Sequence, residues 1–289
     1  MPEWDLRPLP LGEILDRTFT LYRRHFLLFV GISAIPHLLI LGLNLAQTLL
    51  LRAPTPFVPG AATEFQRVPS TGFMALGLFG GMIALVVYLV AYLFSQGGTI
   101  FAVSELYLGR QTTVGTSLSR MWGQLLNLLG VTILNGLAVA GGIILLIIPG
   151  IYIACRLITC VPAALLEDLG ARESLSRSFA LTKDFAGRAF VILVLYVVIL
   201  YASMFLFAIP FGIMVALFAK DPNMLRISLA FLQVGNFVAE VLVTPILLIA
   251  TSVFYYDLRV RKEAFDLQLM MNPSGTVPSA RPTIPSLLS

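Results

Sequence analysis

Phe26–Leu51 reads FLLFVGISAIPHLLILGLNLAQTLLL, 26 residues with no aspartate, glutamate, lysine or arginine. As a helix it is about 39 Å long, and the hydrocarbon core of a bilayer is about 30 Å thick. Such a segment decides the fold class, because lipid offers no partner to backbone N–H and C=O groups and a helix satisfies them internally. Working outward, five more apolar runs follow. Phe73–Val103 and Phe190–Phe218 carry no charge, Leu125–Ile148 ends at the turn signal Pro149-Gly150, and Ile227–Tyr256 carries only Glu240. Ile151–Leu166 holds Arg156 and has 16 residues, about 24 Å as a helix, so it is either a short crossing or one arm of a re-entrant hairpin. The expected fold is all-α, a polytopic membrane protein with six transmembrane helices.

Composition agrees. The chain has 289 residues, 58% hydrophobic and 12% charged, with mean hydropathy +0.90. A soluble domain carries about 25% charged residues, so too few charges are present to coat a water-facing surface. A soluble enzyme, a disordered chain and a nucleic-acid binder all fit poorly. The N-terminus MPEWDLRPLP lacks a basic stretch leading into an apolar one, so no cleavable signal peptide is expected. Cys155 and Cys160, five residues apart on a helix, point to different faces and read as small core residues.

The net charge of +4 is accounted for by membrane sidedness. With both termini inside, the inner segments hold fourteen of the lysines and arginines, Arg7, Arg17, Arg23, Arg24, Arg110, Arg120 and Arg172 among them. The outer loops hold only Arg52, Arg67, Lys220 and Arg226, and Arg156 lies within a span. Positive charge concentrates on the cytoplasmic side, so both termini are expected in the cytoplasm, in a plasma membrane of bacterial inner-membrane type. Residues 1–25 form an N-terminal interfacial helix in this reading, 26–262 the six-span domain, and 263–289 a disordered tail with Pro273, Pro278, Pro282 and Pro285.

The chain also repeats. Glu13-Ile-Leu15-Asp-Arg17-Thr-Phe19-Thr-Leu21 aligns without gaps on Glu173-Ser-Leu175-Ser-Arg177-Ser-Phe179-Ala-Leu181, and Thr116-Ser-Leu118-Ser-Arg120-Met-Trp122 is a weaker copy. Each copy precedes a pair of spans. The repeat predicts three parallel units, each an amphipathic cytoplasmic helix followed by a transmembrane hairpin, with the helices at Leu11–Phe26, Thr113–Gln124 and Arg172–Arg188. In the first, Leu11, Ile14, Leu15, Phe19 and Tyr22 share one face, with Glu13, Asp16, Arg17 and Arg24 opposite. Such a helix either lies in the interface with its arginines at phosphate level or packs under the bundle as a lead-in. Arg17, Arg23, Arg24, Arg120, Arg177 and Arg188 are the candidate contacts to lipid headgroups or a protein partner.

Arg7-Pro-Leu-Pro-Leu-Gly12-Glu13-Ile-Leu-Asp-Arg17, Pro149-Gly150-Ile-Tyr152, and Glu167 ahead of Glu173-Ser-Leu-Ser-Arg177-Ser resemble the membrane-domain family named after glycerophosphoryl diester phosphodiesterases. The resemblance covers roughly residues 7 to 262. It implies a multi-pass membrane fold. In some family members that fold is fused to a soluble phosphodiesterase barrel; the residues here hold no such barrel, so the hydrolase activity is not implied, and stand-alone members have no known function.

Sites for chemistry are sparse. The two histidines, His25 and His37, lie in different environments, neither with a carboxylate at ligand spacing, and no metal or cofactor is expected. Gly97-Gly98 lacks the lysine of a phosphate loop, and no Gly-x-Ser-x-Gly nucleophile motif occurs. The sharper signals are the two ionisable groups inside spans, since a charge at mid-bilayer costs about 2.5–3.5 kcal/mol on insertion scales. Arg156 and Glu240 are the preferred pair, with His37 and Asn135 near the depth of Arg156. They form either a structural clamp or a polar cavity. Gly77 and Gly81, with Ala140-Gly141-Gly142, offer small surfaces for helix packing, and Pro36, Pro162, Pro210 and Pro245 should kink their spans.

The function expected from these residues is a non-catalytic membrane scaffold or accessory protein that contacts lipids or a partner on its cytoplasmic face. The alternative is a small-solute transporter or channel with a polar site around Arg156 and Glu240. Topology reporters fused at Ser70 and Ser289 should report opposite sides of the membrane; same-side signals would break the six-span reading.

Overall fold

The computed structural model describes residues 7–50, 71–218 and 220–265. The expected outer loop Arg52–Ser70 and the tail beyond residue 265 lie outside the described residues. Among those described, every regular element is helical: α1 (Leu11–Arg24), α2 (Phe26–Leu50), α3 (Thr71–Tyr107), α4 (Val114–Met121), α5 (Leu125–Leu145), α6 (Ile147–Leu157), α7 (Cys160–Leu166), α8 (Ala171–Leu181), α9 (Ala186–Leu217) and α10 (Pro222–Glu263). Six stretches are long and apolar enough to cross a membrane: Phe26–Ala46, Gly80–Tyr107, Val114–Leu145, Ile147–Leu166, Ala186–Leu217 and Asn223–Glu263. The outward faces of α5 and α9 are apolar, with Leu126, Leu137, Val198, Phe205 and Leu206 exposed, as suits lipid rather than water.

The fourth stretch differs from its sequence reading. Pro149-Gly150 does not form the turn; the chain reverses at Leu146, the one extended residue between α5 and α6. Pro149 sits in the first turn of α6, where a missing N–H costs nothing because it has no intrahelical acceptor. The stretch gains four residues and reaches 20, about 30 Å of helix. It is not continuous: α6 ends at Leu157 and α7 begins at Cys160. Pro162 explains the break, since its ring would clash with the carbonyl of Ile158 four residues back, and the interruption leaves Pro162 in the first turn of α7. Pro36, Pro210 and Pro245 lie within continuous helices. Near Pro245 the Tyr22 hydroxyl donates to Leu242 O at 2.9 Å; burial pushes this phenol up to about 12, so it stays a protonated donor.

Helices in lipid associate by close packing rather than by hydrophobic burial. Glycines set the closest approaches. A Cβ on Gly97 would collide with the Met121 side chain of α4, and one on Gly98 would meet Ile32 Cγ2 at 2.9 Å. A Cβ on Gly150 would lie 2.6 Å from Ile143 N, so the α5–α6 hairpin closes tightly only with glycine there. At Gly81, part of the expected packing surface, none of the described residues lies within 4 Å of a Cβ built on it.

The buried end of α10 organises the bundle. It packs on α9, α2, α1 and α3, with Phe254, Tyr255 and Tyr256 in the core beside Ile14, Leu21 and Phe29. The same turns carry charges: Asp257 and Arg259 are 2% and 1% exposed. Asp257 accepts from Leu9 N at 2.7 Å and Arg261 Nε at 2.9 Å, and Leu9 O accepts from Arg261 and Arg188. Glu167, at the end of α7, accepts from Tyr255 OH at 2.6 Å and Arg177 Nε at 2.8 Å. Arg259 bonds Glu263 at 3.1 Å and stacks over Phe265, whose side chain is buried although it falls at the start of the expected tail. For Arg177, burial works against its charge, but hydrogen bonds to Glu263 and Glu167 outweigh it and raise its pKa above the ordinary arginine value.

Removing one partner of a buried ion pair typically costs about 3–5 kcal/mol, because the other charge is stranded. Glu167→Gln should therefore lower the thermal unfolding midpoint in detergent strongly, whereas Glu173→Gln, on the exposed face of α8, should change it little.

Candidate intramembrane polar site

Arg156 lies in the last turn of α6, just before the break. With the helix interrupted, the Arg156 carbonyl takes hydrogen bonds from Ser178 Oγ at 2.8 Å and Thr182 Oγ1 at 2.9 Å, both at the α8 end. In return its guanidinium donates to Phe179 O and to Tyr152 OH, and lies over the Phe179 ring. Phe179 O belongs to the last turn of α8, where carbonyls lack intrahelical donors and the helix dipole favours a cation. Arg156 is thus a cap between two helix ends. The expected Arg156–Glu240 pair does not form: α6 packs on α5, α8 and α9, while Glu240 faces α2 and α3. The physical reason is that the break supplied acceptors closer than any carboxylate.

Glu240 instead lines a part-open cavity of about 210 Å³ between α2, α3 and α10. His37, Asn44, Tyr88, Gln233 and Asn236 share its walls with Ile40, Leu41 and Phe237. His37 is about 17 Å along α2 from Phe26, and Glu240 about 24 Å along α10 from Tyr256, so the cavity sits well inside the apolar length of both helices. His37 Nδ1 is 2.7 Å from Ser33 O. A carbonyl only accepts, so Nδ1 carries the proton and Nε2 is the ring nitrogen left to the cavity. Below it Ser95 Oγ donates to Ser33 Oγ at 3.2 Å, and above it Gln233 Nε2 donates to Thr48 Oγ1 at 2.6 Å. Gln233 Oε1 is buried with no donor among the described residues. The structure therefore brings together Glu240 and His37 of the four expected residues. Arg156 is elsewhere, and Asn135 on α5 keeps its Oδ1 buried without a donor among the described residues.

Two of the repeat arginines, Arg17 and Arg177, turn inward, while Arg120 keeps its side chain exposed. Arg17, 7% exposed, bonds Glu13 at 2.9 Å and Tyr107 OH at 3.1 Å. Arg120 bonds Glu105 at 2.8 Å over the Phe101 ring, and Arg177 holds Glu167 and Glu263. The expected faces of α1 are corrected by this: Ile14, Arg17, Thr18 and Leu21 form the buried stripe, and Phe19 is exposed. Arg17 is admitted because Glu13 and Tyr107 supply its acceptors. Arg188 is occupied by Leu9 O, and Arg23 and Arg24 stay exposed at the end of α1. Sequence reading quoted Glu167 only within a motif and gave Asp257, Arg259 and Arg261 no place in a buried network. The i,i+4 spacings Asp257–Arg261 and Arg259–Glu263 were the available signal, but nothing in them marks burial.

Among the described residues no group of three His, Cys, Asp or Glu side chains is placed to hold a metal ion. No family model, curated protein or solved structure matches the chain. Because Arg156 and Glu240 occupy separate environments, the stability losses of Arg156→Met and Glu240→Gln should add, within about 0.5 kcal/mol, in a double-mutant cycle. A coupling above that would place them in one network.

Proposed function

We propose that the protein is a small-solute transporter or channel of the plasma membrane whose binding site is the Glu240–His37 cavity. One observation carries this reading: a carboxylate, a histidine and three amide side chains face one cavity within the apolar length of α2 and α10. Polar and ionisable groups inside spans are costly and concentrate where a pathway or binding site needs them. In this reading the chain is three parallel units, α1–α3, α4–α7 and α8–α10, each opening with one of the repeat helices, and the charge bias of the loops puts both termini in the cytoplasm. Membership of the glycerophosphodiesterase membrane-domain family, without hydrolase activity, belongs to the same proposal and rests on the short motifs alone.

A scaffold role is the second reading. It is favoured by the surface depression of Asp16, Phe19, Thr20, Tyr22, Arg23 and Phe26, where exposed aromatic and basic side chains stand together at the end of α1. It is weakened because Arg17 and Arg177 turn inward and Arg17, Arg120 and Arg177 already hold carboxylates.

The two readings differ in whether water reaches the cavity. With Cys155 and Cys160 changed to alanine, Asn44→Cys and Asn236→Cys should be modified by a charged methanethiosulfonate reagent in membrane vesicles. Leu137→Cys and Val198→Cys, on lipid-facing surfaces, should resist it. If the cavity positions resist as fully as the lipid-facing ones, the bundle is dry there and the scaffold reading stands.

A further inference from the structure

We infer that the Glu240 cavity takes a small monovalent cation, of the alkali-metal or short primary ammonium class, and not an anion. The inference rests on the solute-cavity reading and adds the sign and size of the ligand. The sign follows from the walls. Among the described residues Glu240 is the one carboxylate that lines the cavity, and no lysine or arginine lines it, since Arg156 is bound to Phe179 O. Lone pairs come from the amide oxygens of Asn44, Gln233 and Asn236, the Tyr88 hydroxyl oxygen, and His37 Nε2. Gln233 Oε1 is buried and lacks a donor among the described residues, a want that a cation or ammonium group satisfies and an anion does not. An anion would face a carboxylate in hydrocarbon with no lysine or arginine among the described lining residues to offset it.

Size and charge are bounded as well. Drug-sized ligands occupy about 300–1,000 Å³, so a cavity of about 210 Å³ admits an ion with a few waters or an amine of a few heavy atoms. A monovalent cation neutralises Glu240 and leaves the site without net charge. A divalent ion would leave one uncompensated positive charge within the span, and divalent sites draw on several carboxylates. The rings of Tyr88 and Phe237 in the wall give an organic ammonium a face to rest on, which a metal ion uses less.

The test is thermal unfolding of the purified full chain in lipid nanodiscs at fixed pH. The reference is N-methylglucamine chloride, whose cation is too large for the cavity, replaced at constant ionic strength by sodium, potassium or methylammonium chloride. A saturable rise of several degrees in Tm is expected with at least one of them, absent in Glu240→Gln; the cation that gives it tells metal ion from amine. Asn236→Leu keeps the carboxylate and should shift the half-saturating concentration upward about tenfold, which serves should Glu240→Gln fail to fold. No cation dependence in the wild type, or a rise that survives Glu240→Gln, overturns the inference. A rise with N-methylglucamine acetate or phosphate instead overturns the sign of the charge. In each of these cases thiol labelling of Asn44→Cys and Asn236→Cys still decides whether the solute-cavity reading holds.

Discussion

Charge taken out of water is the constraint on which this bundle depends. Asp257, Arg259 and Glu167 are almost wholly buried at the end of α10, and each would cost several kcal/mol if left alone. None is alone. Asp257 holds the backbone of Leu9 together with Arg261 and Arg188, which ties the approach to α1 onto α9 and α10. Glu167 holds Arg177 and Tyr255, which ties α7 and α8 to the same turns of α10. Van der Waals packing between apolar helices discriminates weakly among rotations, since lipid tails are as apolar as the leucines they replace. Buried ion pairs discriminate strongly, and here they set how the short helices seat against the long one.

A second exchange of polar groups follows from Pro162. Its ring breaks the fourth stretch, and the break frees the Arg156 carbonyl, which the hydroxyls of Ser178 and Thr182 take up. The Arg156 side chain then closes the last turn of α8. Two helix ends that would each carry unsatisfied groups satisfy one another. The intramembrane arginine is thereby spent on structure, and Glu240 is left as the ionisable group that the fold does not neutralise by an ion pair among the described residues. That separation is why the proposed site is built on the cavity and not on Arg156.

How much was legible can be judged element by element. The span that opens at Phe26, the amphipathic helices ahead of Phe26, Leu125 and Ala186, and the polarity of Glu240 and His37 were all readable, because each is a property of local composition and period. The pairing of Arg156 with Glu240 was misread because both were placed by depth along a helix axis, and depth says nothing of which helices are neighbours; α9 packs against both α6 and α10. The burial of Arg17 was misread because helical period sorts residues by apolarity, whereas Glu13 and Tyr107 make an arginine acceptable inside.

By itself the sequence determined that this chain is helical and built from segments long enough to cross a membrane, because backbone hydrogen bonds in hydrocarbon must close within the segment and about twenty apolar residues suffice. Only the tertiary structure decided which charges meet. Glu167 and Arg177 are ten residues apart, Leu9 and Asp257 are 248 apart, and His37 and Glu240 line one cavity from different helices. Such meetings depend on the rotation and neighbours of each helix, set by glycine contacts and the proline break acting together, and no local pattern in the chain encodes them.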